Sequence, residues 1–147
     1  HHSDHVLGVP AYAAEGATVV IARAHEAVMR NAAGDAGMPE FEFVGDAHVI
    51  TDGQRRVELY DVGPTPHAEH ILLPYLPDEG IVFQADHVAT PLTGPLPPAI
   101  SGHRALAEAM DKLGLKVKTV AGAHSPRLLT MDEFNAALER DTRVAQQ

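Results

Sequence analysis

The 147-residue chain has no cysteine and no tryptophan, and aromatic residues make up only 5% of it. Without cysteine there is no disulfide scaffold, no thiol nucleophile and no thiolate zinc site. Cationic side chains are also few: 11 Lys and Arg stand against 20 Asp and Glu, for a formal net charge of −9. With no basic surplus to release counterions, the sequence speaks against a nucleic-acid partner. No apolar run approaches the roughly 20 residues of a membrane span, so no membrane partner is expected. Only three serines occur, none in a Gly-x-Ser-x-Gly setting, which removes the usual serine hydrolase. A Walker loop, a dinucleotide fingerprint and a His-Glu-x-x-His helix are likewise missing. The compartment is left open.

What is present is ordinary in bulk: 45% apolar and 21% charged residues, as in a globular protein. The length suits one domain, 1–147, able to bury roughly 68–70% of its unfolded surface. The unusual count is ten histidines.

Along the chain, Val9–Gly16 is Ala-rich and ends in glycine, as a short helix would. Ala17–Ala22 is an apolar, β-branched run suited to a buried parallel strand, and Ala24–Gly34 is helix-forming. Ala47–Thr51 and Arg55–Val62 read as strands joined by Asp52-Gly53, a two-residue hairpin signal. "ILLPYL" and "IVFQAD" read as a second hairpin around Pro77–Gly80. Leu92–Pro98 is a surface loop. Ser101 is placed to cap a helix with Leu106, Met110 and Leu113 on one face, ending at Gly114. "KVKTVAG" reads as a strand. Thr130 then caps a last helix, with Glu133 at the capping-box position and Met131, Phe134 and Leu138 inward. The order α-β-α-β-β-β-β-α-β-α gives a mostly antiparallel meander flanked by helices, an α/β layered fold.

The histidines fall at particular places. His2, Asp4 and His5 lie within four residues, just before Gly8. His67 sits in "GPTPHAEH" after a strand, Asp86 ends "IVFQAD", and His124 ends "KTVAGAH". Strand ends are where rigid scaffolds present reactive groups, and such ends can converge on one edge of a sheet. Histidine with aspartate is a ligand set for a borderline divalent ion such as Zn²⁺. Judged singly, each of His67, Asp86 and His124 has a plainer reading as a strand-end residue bonded to backbone, and His1-His2 as the remnant of a purification tag. His70 either lines a pocket or is a solvated loop residue. His87 should point away from Asp86 if the strand continues. His25, His48 and His103 read as surface residues, and Tyr75 as core.

"HHSDHVLGVPAYAAEGATVV" resembles the His-x-His-x-Asp-His metal motif of metallo-β-lactamase-fold hydrolases, with the helix and strand that follow it. "DVGPTPHAEHILLPYLPDEGIVFQADHV" is similar to the stretch carrying the third histidine and the bridging aspartate, and "VKTVAGAHSP" to that carrying the last histidine. The resemblance spans nearly the whole chain, in the family's order.

It implies a metallo-β-lactamase-like αββα sandwich, of which this chain is the C-terminal half plus the metal motif, the N-terminal half being absent. His2 and His67 would serve a first metal, Asp4, His5 and His124 a second, and Asp86 would bridge them. The motif's first histidine would fall before His1. Two zinc ions are implied for a complete site, with iron or manganese as alternatives. Such a pair lowers the pKa of a shared water towards about 7. The resulting hydroxide would attack an ester, lactone, thioester, amide or phosphoester, and Asp4 would orient it as the catalytic carboxylate. The partner implied is a small-molecule substrate, with a homodimer or a second chain completing the cut site. Two alternatives stand beside the hydrolase: a mononuclear iron branch of the same fold that oxidises persulfides, and a truncated, metal-poor domain without catalysis.

Overall fold

The computed structural model describes residues 2–34 and 39–144. It divides into two compact units, residues 1–48 and 49–147.

The first unit opens with a single helical turn, α1 (Ser3–Val6), and continues into α2 (Val9–Ala14), which has Pro10 in its first turn. Proline is tolerated there because the missing N–H has no intrahelical partner in any case. Gly16 follows with φ +75°, the left-handed conformation that closes the helix. Strand β1 (Val19–Ala22) then leads through a 3₁₀ turn at Arg23–His25 into α3 (Glu26–Ala33). Strand β2 (Phe41–Val44) returns parallel to β1, pairing Val19 with Phe41 and Ala22 with Val44. This β-α-β unit extends the sequence reading, which had no strand at 41–44. Arg23 and Arg30 lie over the rings of Phe43 and Phe41, at 3.7 and 4.8 Å from their centroids. Glu26 anchors Arg30 from one helical turn away.

The second unit is built on a six-stranded sheet in sequential order: β3 (Ala47–Thr51), β4 (Arg56–Asp61), β5 (Leu72–Leu76), β6 (Ile81–Gln84), β7 (Thr119–Gly122) and β8 (Leu129–Thr130). The pairs β4–β5, β5–β6 and β7–β8 are antiparallel, and β6–β7 is parallel. The parallel pair is possible because α4 (Ser101–Lys112) intervenes as a crossover. The last helix is α5 (Met131–Val144). Between Thr51 and β4 the turn is longer than the Asp52-Gly53 pair suggests. Asp52 accepts the N–H groups of Gln54 and Arg55 through its carboxylate, making an Asx-type turn that runs to Arg55.

One face of this sheet is the core. Leu73 and Tyr75 of β5, Val82 of β6 and Val120 of β7 alternate inward and meet Leu106 and Met110 of α4, and Phe134 and Ala137 of α5. Tyr75 is core, as read from the sequence, and its hydroxyl exchanges hydrogen bonds with the backbone of Lys116. His103 corrects the surface reading. It is buried in the first turn of α4, stacked on Phe134 with ring centroids 6.1 Å apart, and its Nδ1 accepts the N–H of Ile100. Ile100, not Ser101, occupies the N-cap position of α4.

The Pro-rich segment after residue 90 is a surface loop that is firmly held. The Arg127 guanidinium donates to the carbonyls of Pro91 and Gly94 and forms a paired contact with the Glu133 carboxylate. Glu133 also accepts the N–H of Leu96, and Arg140 donates to the Leu96 carbonyl. Thr130 caps α5 through the Glu133 N–H, but the Glu133 side chain turns to Arg127 instead of closing a capping box.

Arg127 beside it holds the Glu133 carboxyl below its usual range. A carboxyl lowered on folding stabilises the native state above its unfolded pKa, and that contribution is lost as pH falls through the lowered value. Glu133→Gln should therefore be less stable than the parent at pH 7, with the gap closing under acid; equal acid profiles in denaturant titrations would refute the clamp. Phe134→Ala should cost about 3–5 kcal/mol in the same assay.

Candidate metal centre

Three of the sequence-singled residues meet at the C-terminal ends of β4, β6 and β7, within the second unit. The two carboxylate oxygens of Asp86 are divided between two imidazoles: Oδ2 lies 3.1 Å from His67 Nε2, and Oδ1 lies 3.2 Å from His124 Nε2. Asp86 is largely sheltered, while His67 and His124 keep 34% and 45% of their side chains exposed, so the cluster opens to solvent on its histidine side.

Each of the three is presented by a locally determined turn. His67 sits in a tight connection between β4 and β5. The Thr65 hydroxyl accepts the N–H groups of His67 and Ala68, and the Thr65 N–H donates to the Ala68 carbonyl at 2.9 Å. At the base of this loop Asp61 accepts the N–H of Gly63 through Oδ1 and holds His70 Nδ1 at 2.7 Å through Oδ2. Gly63 is fixed by close approach: a Cβ there would stand 1.9 Å from the carbonyl oxygen of Glu69. His70 thus braces the loop that carries His67, through Asp61, which the sequence reading did not single out.

Strand β6 ends at Gln84, before Asp86, so strand alternation does not extend to His87. His87 is 1% exposed, and neither ring nitrogen has a hydrogen-bond partner among the described residues. Burial pushes its pKa down, His67 adds to this and Asp86 opposes it. The backbone of His87 also packs on α4, where a Cβ at Gly102 would lie 2.6 Å from the His87 carbonyl oxygen.

The remaining candidates belong to the first unit. Asp4 and His5 lie on α1, with Asp4 Oδ2 3.5 Å from His5 Nε2, and His2 precedes the helix in extended conformation. Ser3–Val6 forms a single helical turn. His1 lies outside the described residues. Of the other histidines, His48 pairs with Glu42 at 3.1 Å.

The donor set fits a metal. Two imidazole nitrogens gathered around one carboxylate make a His/Asp donor set, and His and Asp are ligands that zinc, iron and manganese share. His2, Asp4, His5, His67, Asp86 and His124 are all metal-donor candidates. Beside the His67 loop, a cavity of about 410 Å³ lies between Pro64–Pro66 and α4, with Ser101, Arg104 and Lys112 on its helical wall. This is within the size range of small-molecule pockets.

Gly63→Ala should displace His67, because the new methyl group cannot coexist with the Glu69 carbonyl. A stability loss of about 1–3 kcal/mol and weaker zinc uptake are expected, from denaturant titration and zinc titration of the variant. An unchanged zinc isotherm would show that this loop does not matter to the centre.

Comparison with known proteins places the architecture. No family model and no curated protein matches the sequence. Among solved structures, a metallo-β-lactamase from Pontibacter korlensis superposes with TM-score 0.66 at 21% identity, covering 96% of this chain and 65% of that one. The chain thus spans a little under two thirds of that relative. The chemotaxis sensor ODP, solved as a peroxy diiron species, gives TM-score 0.68 at 12% identity, over 97% of this chain and 67% of that one. The flavodiiron protein from Giardia intestinalis gives 0.60 at 16% identity, over 88% and 36%. The chain has the metallo-β-lactamase fold.

Proposed function

We propose that this chain carries the metal-binding part of a metal-dependent hydrolase with a dinuclear zinc centre. The observation that carries the proposal is Asp86, whose two oxygens each face a different histidine, His67 and His124. In this reading the centre also draws on His2, Asp4 and His5, an assignment supported by the sequence motif and its order along the chain. Residues 1–147 then act as one metallo-β-lactamase-like domain.

When bound, a pair of divalent ions supplies Lewis acidity and makes a water nucleophilic near neutral pH. The chain's own residues do the rest. Asp86 offers one carboxylate oxygen towards each of two imidazoles. His67 and His124 present Nε2 from turns that fix the ring positions. Asp4 would serve as the catalytic carboxylate, accepting a hydrogen bond from the attacking water and so orienting it. The cavity beside the His67 loop would take a small ester, lactone, thioester, amide or phosphoester.

Iron is the second reading for the same donors, favoured by the fold likeness to the two iron proteins. A mononuclear iron centre acting on persulfides belongs to it.

Elemental analysis of the purified chain, with intact mass on the same sample, should give about two zinc per chain. Asp86→Ala should lower that count more than His67→Ala or His124→Ala, because one residue serves both metals. Hydrolysis of a chromogenic ester or lactone panel should fall with the metal. Zinc content unaffected by Asp86→Ala would refute the bridging role, and iron in place of zinc would favour the second reading.

A further inference from the structure

Gln84 is a polar side chain at an inward position of β6, two residues beyond Val82, and it is 1% exposed. A buried amide without partners is destabilising, so its bonds show what it is for. Its Oε1 accepts the N–H groups of His87 at 2.8 Å and Val88 at 3.1 Å, and its Nε2 donates to the Val88 carbonyl at 2.7 Å. The side chain thus closes a ring over Ala85, Asp86 and His87. Its own backbone carbonyl accepts the N–H of Ala123 at 3.0 Å, next to His124.

Ser125, on the other side of His124, reaches the same point. Its hydroxyl donates to the Val88 carbonyl at 3.4 Å and accepts the N–H of Thr90 at 3.2 Å. The two side chains meet over Gly122, where a Cβ would lie 2.4 Å from Gln84 Nε2 and 2.8 Å from Ser125 Oγ. The Asp86 turn and the His124 turn are therefore tied into one hydrogen-bonded knot centred on the Val88 carbonyl.

We propose that Gln84, assisted by Ser125, is the positioning residue of the metal centre: its side chain bonds to backbone, and it sets the place of Asp86 relative to His124 by joining the two turns that carry them. The proposal rests on the reading of Asp86 as a metal ligand. An outer partner of this kind governs metal affinity without belonging to the coordination sphere. Gln84→Met keeps the volume and removes both halves of the amide, and Ser125→Ala removes the second tie.

The test uses the full chain and zinc alone, with affinity from competition against a chromophoric chelator, and the visible spectrum of the cobalt-loaded chain as a second readout. Met110→Ala, a core truncation away from the site, controls for lost stability. Gln84→Met should weaken zinc binding about 10–100-fold and alter the cobalt bands, and Ser125→Ala should weaken it less. Met110→Ala should leave affinity and spectrum as in the parent.

Parent-like affinity and spectrum in Gln84→Met would overturn the proposal, as would losses in Met110→Ala that match it at equal loss of melting temperature. If Gln84→Met does not fold by circular dichroism, Ser125→Ala decides, and parent-like zinc affinity there overturns the proposal. Asp86→Ala distinguishes the two levels. If it abolishes tight zinc binding while Gln84→Met and Ser125→Ala do not weaken it, the metal reading stands and this inference falls. If Asp86→Ala binds zinc like the parent, both fall.

Discussion

A carboxylate that offers one oxygen to each of two imidazoles has to be held at a fixed height and rotation, and it sits where β-sheet hydrogen bonding has just run out. Asp86 lies two residues beyond the last paired residue of β6, where the ladder no longer constrains the backbone. The amide of Gln84 takes over from the ladder at that point. It supplies two acceptor contacts and one donor contact to the backbone of the turn, all within the buried layer. The parallel register of β6 with β7 matters for the same reason, because pairing Gln84 with Gly122 brings the ends of both strands to one edge. His124 follows two residues later, and the distance from Asp86 is then a matter of turn geometry alone.

The loop carrying His67 solves the same problem with different chemistry. It leaves β4 and must return to β5 within ten residues, close enough for the Val62 N–H to reach the Ile71 carbonyl. Asp61 and His70 close the base, the absence of a side chain at Gly63 lets the two limbs touch, and Thr65 folds the tip. His67 is exposed at the tip of this arrangement. Arg127 and Glu133 anchor the long Pro-rich segment behind Asp86 in a comparable way, binding several of its carbonyl and N–H groups. Side chains, more than regular structure, fix the loops of this unit.

That division explains what could be read from the residues. The strands β4, β5 and β6, the helices α4 and α5 and the inward faces of both helices follow from period-two and period-3.6 patterns, and the structure has them within a residue or two. Asp86 and His124 each follow a strand end by two residues, a position that pattern also marks, whereas His67 lies in the middle of the loop between β4 and β5. What stayed hidden depends on pairing across distance. The strand at Phe41–Val44 is short, preceded by Pro39 and followed by Gly45, and its parallel pairing with β1 makes it a strand. His103 looks like a surface residue from its charge class, yet stacking on Phe134 and a bond to the backbone of Ile100 make it a core residue.

Gln84 is the instructive omission. In "IVFQAD" it continues the inward alternation of Ile81–Gln84 with a polar side chain, and that mismatch was visible in the sequence. A polar residue on the buried face of a strand, two residues before a candidate ligand, demands partners, and the nearest backbone groups without a ladder are those of the ligand's own turn. The same logic applies to Asp61, a carboxylate closing a strand two residues before a glycine-proline turn. Both cases point to one rule for reading such edges. The residues that hold a metal are recognised by their type, whereas those that place them are recognised by being the wrong type for the layer they occupy.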